Sequence, residues 1–212
     1  MALEVVHRLA GWRLVWLEVE LVAEDVEVLA SARASAVDLA RRDLEPATLA
    51  EVPMVAAMRR LFREAGTDPT RYRPSSEALL RRVLKGEALP AIHPLVDVNN
   101  CLSIALAVPC CVMAEGSIEG PVTLRRGEAG ERMDSLRGPF ELEGKPLLAD
   151  RLGPFGTPIT DSRRVAVQAA TRRARMVAYL PATAMAERVM EAYARLELER
   201  VAHAAVVATS GP

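Results

Sequence analysis

Between Arg73 and Ser103 the chain reads RPSSEALLRRVLKGEALPAIHPLVDVNNCLS, two helices with strong end signals set around a cluster of polar side chains. The first is expected to start at Ser75 or Ser76, either of which can cap it, with Glu77 in the first turn, where a carboxylate meets unpaired N–H groups. Leu79, Leu80, Val83 and Leu84 share one face, Arg81, Arg82 and Lys85 sit toward the C-terminal end, and Gly86 closes the helix. The second opens at His93 and Pro94, because proline is tolerated in the first helical position, and its Leu95, Leu102 and Leu106 point inward. Inside it, Asn99 and Asn100 are poor helix formers whose amides compete for backbone hydrogen bonds. Lying four and three residues before Ser103, they gather on one side of the helix, with Asp97 displaced from them. Two readings stand for the pair: they satisfy buried backbone groups, or they line a pocket that holds a small polar ligand.

The rest of the chain divides at Pro109. Ahead of it, Arg13 to Val22 is rich in β-branched and aromatic residues and predicts a strand, and Val26 to Leu44 predicts a helix. Another helix is expected from about Thr48, a plausible N-cap with Glu51 three residues on, to a stop at Gly66. Beyond Pro109, short apolar runs between Gly, Pro and charged residues predict strands and hairpins, with strand character from Arg164 to Leu180. The tail from Ala182 to about Val207 has helical spacing and predicts a closing helix. The expected architecture is therefore α+β: a single domain over residues 1–212, with N-terminal helices packed on a mostly antiparallel sheet.

Composition narrows the classes. Half of the 212 residues are apolar, 26% are charged and the net charge is −1, which describes an ordinary globular chain rather than a disordered one. Cys101, Cys110 and Cys111 form no CxxC pair and have no histidines at metal-ligand spacing, so no metal is expected. Adjacent cysteines and no opening signal peptide predict free thiols in a reducing cytoplasm. The longest uncharged stretch, Pro90 to Met113 apart from Asp97, is broken by Pro94, Asn99, Asn100 and Pro109, so no membrane span is expected. No GxSxG, HExxH or phosphate-cradling pattern is present. Arg125, Arg126, Arg132 and Arg137 form one basic group and Arg163, Arg164, Arg172, Arg173 and Arg175 another. Neither has interleaved aromatics, so phosphate positioning is the most they suggest.

The succession RPSSEALLRRVLKG, LPAIHPLVDVNNCLS, VTLRRGEAGE, LLAD and FGTPITDS, from about Val52 to Pro181, resembles the B-three/B-four domain of the phenylalanyl-tRNA synthetase beta chain in its free-standing form. The most specific piece is PLVDVNN at 94–100, which corresponds to a VDVTN segment of the synthetase module. In the synthetase that module is the editing site, which hydrolyses the ester of wrongly charged tRNA. The resemblance implies that Asn100 matches an asparagine of the editing pocket, that Asn99 replaces a neighbouring threonine, and that Cys111 takes the place of a pocket histidine.

An aminoacyl ester is already activated, so its hydrolysis needs a positioned water, donors for the developing oxyanion and an anchor for the α-ammonium group. The expected site follows: Asn99 and Asn100 orient the ester, Asp161 or Glu131 fixes the ammonium or the water, and Arg73, Ser76, Glu77 and Ser162 lie near the rim, with His93 opening the helix. Cys111 is either a thiol nucleophile or an inert packed thiol. The expected protein is a cytoplasmic, cofactor-free hydrolase of aminoacyl-tRNA, with a monomer as one option for its assembly. Its rivals are a non-catalytic RNA-binding module of the same fold and a protein that binds small amino-acid derivatives.

Overall fold

In the computed structural model, which describes residues 3–22 and 25–211, the chain opens with a short strand β1 (Val5–His7) and the long β2 (Trp12–Leu21). Helix α1 (Val26–Asp43) is capped by Asp25, whose carboxylate accepts the backbone N–H of Glu27 and Val28. A 3-10 turn at Leu49–Glu51 precedes α2 (Pro53–Glu64). Thr48 does not cap α2: Val52 holds the N-cap position and Pro53 supplies the preset φ of a first turn. Gly66, at φ 94°, ends that segment.

Helix α3 (Ser75–Leu84) has Pro74 at its N-cap with no side-chain cap, so Ser75 and Ser76 are first-turn residues rather than caps. Helix α4 (Pro94–Leu106) begins as its sequence predicts, with His93 Nδ1 accepting the Leu95 N–H at 3.2 Å. Then come β3 (Cys110–Ala114), β4 (Val122–Arg126), β5 (Arg132–Ser135), β6 (Gly138–Glu141), β7 (Pro146–Asp150) and β8 (Gly153–Gly156). The segment from Arg164 is a 3-10 turn followed by loop, and strand β9 starts only at Arg173, ending at Pro181.

The closing helix is shorter than its spacing predicts. Helix α5 spans Arg188–Arg195, and the chain then turns into strand β10 (Ala202–Ser210). The reason is tertiary: β10 pairs antiparallel along β2 from Leu21 back to Leu14, and those ladder bonds outweigh the helix propensity of the alanines.

Three sheets result: β1-β4-β7-β8, β10-β2-β9-β3 and the hairpin β5-β6. All pairings are antiparallel except β1 with β4. The architecture is α+β, as the element pattern predicts. The few aromatics concentrate at its centre, where Trp12 lies 6.1 Å from Phe62 and meets Tyr179 edge-on at 6.2 Å.

Helix α4 is buried on most of its circumference, including Asp97, Asn99 and Ser103. Such a helix must satisfy its polar groups internally. Asp97 pairs with Arg33 of α1 and accepts the Ile92 N–H at 3.0 Å, which ties α1, α4 and the loop before α4 together. Ala107 in the left-handed region (φ 55°) then reverses the chain, Ser103 Oγ donates to the Val108 carbonyl at 2.9 Å, and β3 runs back against the helix.

Glu77, fully buried on α3, accepts from Arg59 of α2 at 2.9 Å with both oxygens and from Arg81 Nε at 2.9 Å. Removing one member of such a pair leaves charge uncompensated, at about 3 kcal/mol or more. Glu77→Ala is therefore expected to lower the urea midpoint by that equivalent with the denaturant slope unchanged, a result that unfolding followed by circular dichroism checks.

Candidate functional site

A cavity of about 320 Å³ opens between α3, α4, β3, the tip of the β5-β6 hairpin and the turn after β8. Helix α3 contributes Ser75, Ala78, Leu79 and Arg82, the i, i+3, i+4, i+7 stripe of one helical face. Helix α4 contributes Val96, Asn99 and Asn100, and β3 contributes Cys110, Cys111 and Val112. The remaining wall includes Ile159, Thr160, Asp161 and Val167.

The turn that carries Asp161 is rigid because Thr157 organises it. Its hydroxyl donates to the Thr160 carbonyl at 2.8 Å and accepts the N–H groups of Ile159 and Thr160 at 3.1 and 2.9 Å. The turn is also pinned from outside. Cys111 Sγ donates to the Thr157 carbonyl at 3.4 Å, Ser75 N–H to the Pro158 carbonyl at 2.9 Å, and Leu136 N–H to the Asp161 carbonyl at 2.9 Å.

Three polar atoms of cavity-lining residues are buried with no protein partner: Ser75 Oγ, Asn99 Oδ1 and Asp161 Oδ1. A buried polar atom left unsatisfied costs about 1–3 kcal/mol, and these three, one hydroxyl and two acceptors, give the cavity hydrogen-bonding capacity that the protein itself does not use. The Asn99 amide orientation follows from chemistry, because its Nδ2 donates to the Cys110 carbonyl at 3.1 Å, which leaves Oδ1 as the free end. Asn100 is partly exposed and its amide has no hydrogen-bond partner among the described residues.

Asp161 is partly exposed as a residue, yet burial of its carboxyl raises its pKa to about 7, with the neighbouring Cys111 thiol acting in the opposite sense. Gly156 lies close beside it: a Cβ there would be 3.1 Å from Asp161 Oδ1, tight enough to press on the carboxylate, and in ordinary contact with the Tyr179 hydroxyl at 3.8 Å. Burial, and then the charge of Asp161, hold the Cys111 thiol well above its ordinary value, so the sulfur is a neutral thiol at physiological pH. All three cysteines are free and buried. An inert packed thiol fits Cys111 better than a nucleophile, which must ionise.

Of the residues the sequence singles out, Asn99, Asn100, Cys111 and Asp161 meet at this cavity, and six do not. Glu77 is held by Arg59 and Arg81, and Ser76 is buried beside it. Arg73 is exposed ahead of α3, and His93 is the N-cap of α4. Ser162 Oγ bonds the Asp134 carbonyl at 3.2 Å and the Arg164 N–H at 3.2 Å. Glu131 binds Arg125 through both oxygens, at 2.8 and 2.5 Å, and accepts the Glu128 N–H at 2.9 Å. The Arg125 guanidinium keeps the Glu131 carboxyl below its ordinary range, so this carboxylate braces a turn, and of the two acids Asp161 is the one that lines the cavity.

Ser75, Arg82, Ile92, Leu136, Arg137 and Thr160 escaped the sequence reading as pocket residues. The stripe on α3 and the FGTPITDS run held the signal for three of them. Most of the two basic groups is neutralised: Arg132 pairs with Glu141, Arg164 with Asp150, Arg173 with Glu20 and Arg175 with Glu18.

Fold and cavity together define an α+β domain with a cavity whose lining includes unpartnered buried polar atoms. The chain belongs to the B3/4 domain family, which matches residues 57–200 and so takes in every element that lines the pocket. No curated protein matches the chain. Among the described residues no three His, Cys, Asp or Glu side chains are grouped to hold a metal ion, and no helix is long and apolar enough to cross a membrane.

A raised Asp161 pKa has a direct stability consequence. Between about pH 4 and about pH 7 the folded protein holds a proton that the unfolded chain has released, so stability falls as pH rises through that window. Asp161→Asn removes the penalty and is expected to melt higher than the parent at pH 8 but not at pH 4, which melting curves across that range check.

Proposed function

We propose that this protein hydrolyses the ester of mischarged aminoacyl-tRNA, acting in trans. The observation that carries the proposal is the set of unpartnered polar atoms around a cavity of about 320 Å³, a volume at the small end of ligand pockets and suited to an aminoacyl group. The likeness of PLVDVNN at 94–100 to the synthetase editing module supports the same reading, as does membership of the B3/4 domain family.

In this mechanism Asp161 and Asn99 Oδ1 accept hydrogen bonds from the α-ammonium group and hold the amino acid at the floor. The Asn100 amide donates to the ester carbonyl oxygen. A water attacks the carbonyl carbon and gives up a proton to solvent, the oxyanion forms against Asn100, and the carbon–oxygen bond to the ribose breaks as the ribose oxygen takes a proton from solvent, leaving the free amino acid and the RNA hydroxyl. No protein nucleophile is required, which agrees with a neutral Cys111 thiol. Selectivity falls to what the ammonium does not occupy, the Ser75 hydroxyl and the apolar wall of Ala78, Leu79 and Val96, because an amino-acid side chain that buries the hydroxyl without pairing it costs about 1–3 kcal/mol.

The test is deacylation by purified protein of a panel of correctly and incorrectly charged tRNAs. At least one mischarged species should lose its ester much faster than without protein. Asn100→Ala is expected to cut kcat by about 100-fold, the scale for an oxyanion donor, whereas Glu131→Gln and Cys111→Ser stay within about twofold of the parent, since neither residue is assigned a chemical step. Because a charged Asp161 holds the ammonium, kcat/KM relative to the uncatalysed rate should rise through about pH 7, and Asp161→Asn should flatten that rise. Binding of charged tRNA with no faster ester loss would instead identify an RNA-binding module. Stabilisation by a free amino acid with no response to tRNA would identify a small-molecule protein.

A further inference from the structure

The mouth of the cavity carries two large aliphatic side chains that the core does not use. Ile92 is 65% exposed and Leu136 is 50% exposed, and both line the opening. Their backbones are fixed: Ile92 N–H donates to the buried Asp97 at 3.0 Å, and Leu136 N–H to the Asp161 carbonyl at 2.9 Å. They come from different parts of the fold, the loop before α4 and the tip of the β5-β6 hairpin. An exposed aliphatic on a rigid backbone already bears the cost of being wet, and a flat ring laid against it releases that water without further ordering.

Cations share the same opening. Arg137 follows Leu136 at the hairpin tip, lines the cavity, and its guanidinium has no partner among the described residues. Arg82 lines it from α3, paired with Glu87 at 2.8 Å on the half-exposed outer side. The basic groups elsewhere on this surface are largely paired with carboxylates, so the unpaired guanidinium at the mouth stands out against them.

We infer that Ile92 and Leu136 receive the terminal nucleoside of the charged RNA and that Arg137 binds the phosphate on its 5′ side. This assignment rests on the proposed hydrolase reading and adds to it the part of the ligand outside the pocket. Aliphatic packing on a ring is indifferent to base identity, which suits an RNA end common to many substrates, and phosphate contact fixes register without reading sequence. Amino-acid selection thus lies in the pocket, and affinity for RNA at its mouth.

The experiment compares two ligands: an aminoacylated RNA minihelix whose ester is replaced by a stable amide, and the small amide of the same amino acid. The parent protein should bind the minihelix more tightly than the small amide. Ile92→Ser with Leu136→Ser should weaken minihelix binding by about tenfold, the scale of the apolar surface those two side chains would cover, and leave the small amide within about twofold. Arg137→Ala should reduce the slope of log affinity against log salt by about 0.7, the value for one single-strand phosphate. Minihelix binding unchanged in all variants would overturn this assignment while leaving the hydrolase reading intact. Equal loss of both ligands would also overturn it, by placing these residues in the amino-acid pocket. A parent protein that binds the small amide as tightly as the minihelix would overturn both.

Discussion

The reversal of α4 onto β3 governs everything that follows. Asn99 Nδ2 on the Cys110 carbonyl, Ser103 Oγ on the Val108 carbonyl and a left-handed Ala107 close the turn within a few residues. A longer connection would let the strand drift away from the helix. Because it cannot, Asn99 and Asn100 stand beside Cys111, and the Cys111 thiol in turn reaches the carbonyl of Thr157, whose turn presents Asp161. The polar floor of the pocket is thus assembled around backbone carbonyls, two of which, Cys110 and Thr157, are satisfied by side chains that also line it, Asn99 and Cys111.

Several features were legible in the sequence because their causes are local. Pro94 at a helix start, Gly66 and Gly86 at helix ends, and paired asparagines in a helix that should dislike them all act over one turn of chain, whereas Pro53, and not Thr48, sets the start of α2. What escaped depends on partners distant in sequence. Glu77 and Glu131 have the same chemistry as Asp161, and although Arg81 is only four residues from Glu77 and Arg125 six from Glu131, only the fold adds Arg59 to Glu77 and leaves Asp161 in a cavity. Helical phase was a nearer miss: with Pro74 at the N-cap, Ser75 rather than Ser76 joins the cavity stripe. The tail deceived because alanines accept either structure, and β2 had an edge to fill.

The electrostatics of the site run opposite to those of a nucleophilic enzyme. Burial keeps the Cys111 thiol protonated and holds Asp161 at the margin of ionisation near neutrality. Such a floor responds to a ligand's charge: an ammonium favours the carboxylate, and the carboxylate in turn holds the ammonium. Recognition and ionisation are therefore one event, which relates the proposed role of Asp161 to the same desolvation that penalises its charge when the pocket has no cation in it.

One further consequence follows from the strand order. The family match begins in α2 and stops before β10, yet β2 lies in the interior of its sheet between β10 and β9, and carries Trp12 and Trp16 into the core. The matched stretch therefore holds only part of that sheet. Residues before and after it interlock as neighbouring strands, so the stretch and the sheet have different borders, and excising the former would divide the latter between β2 and β9.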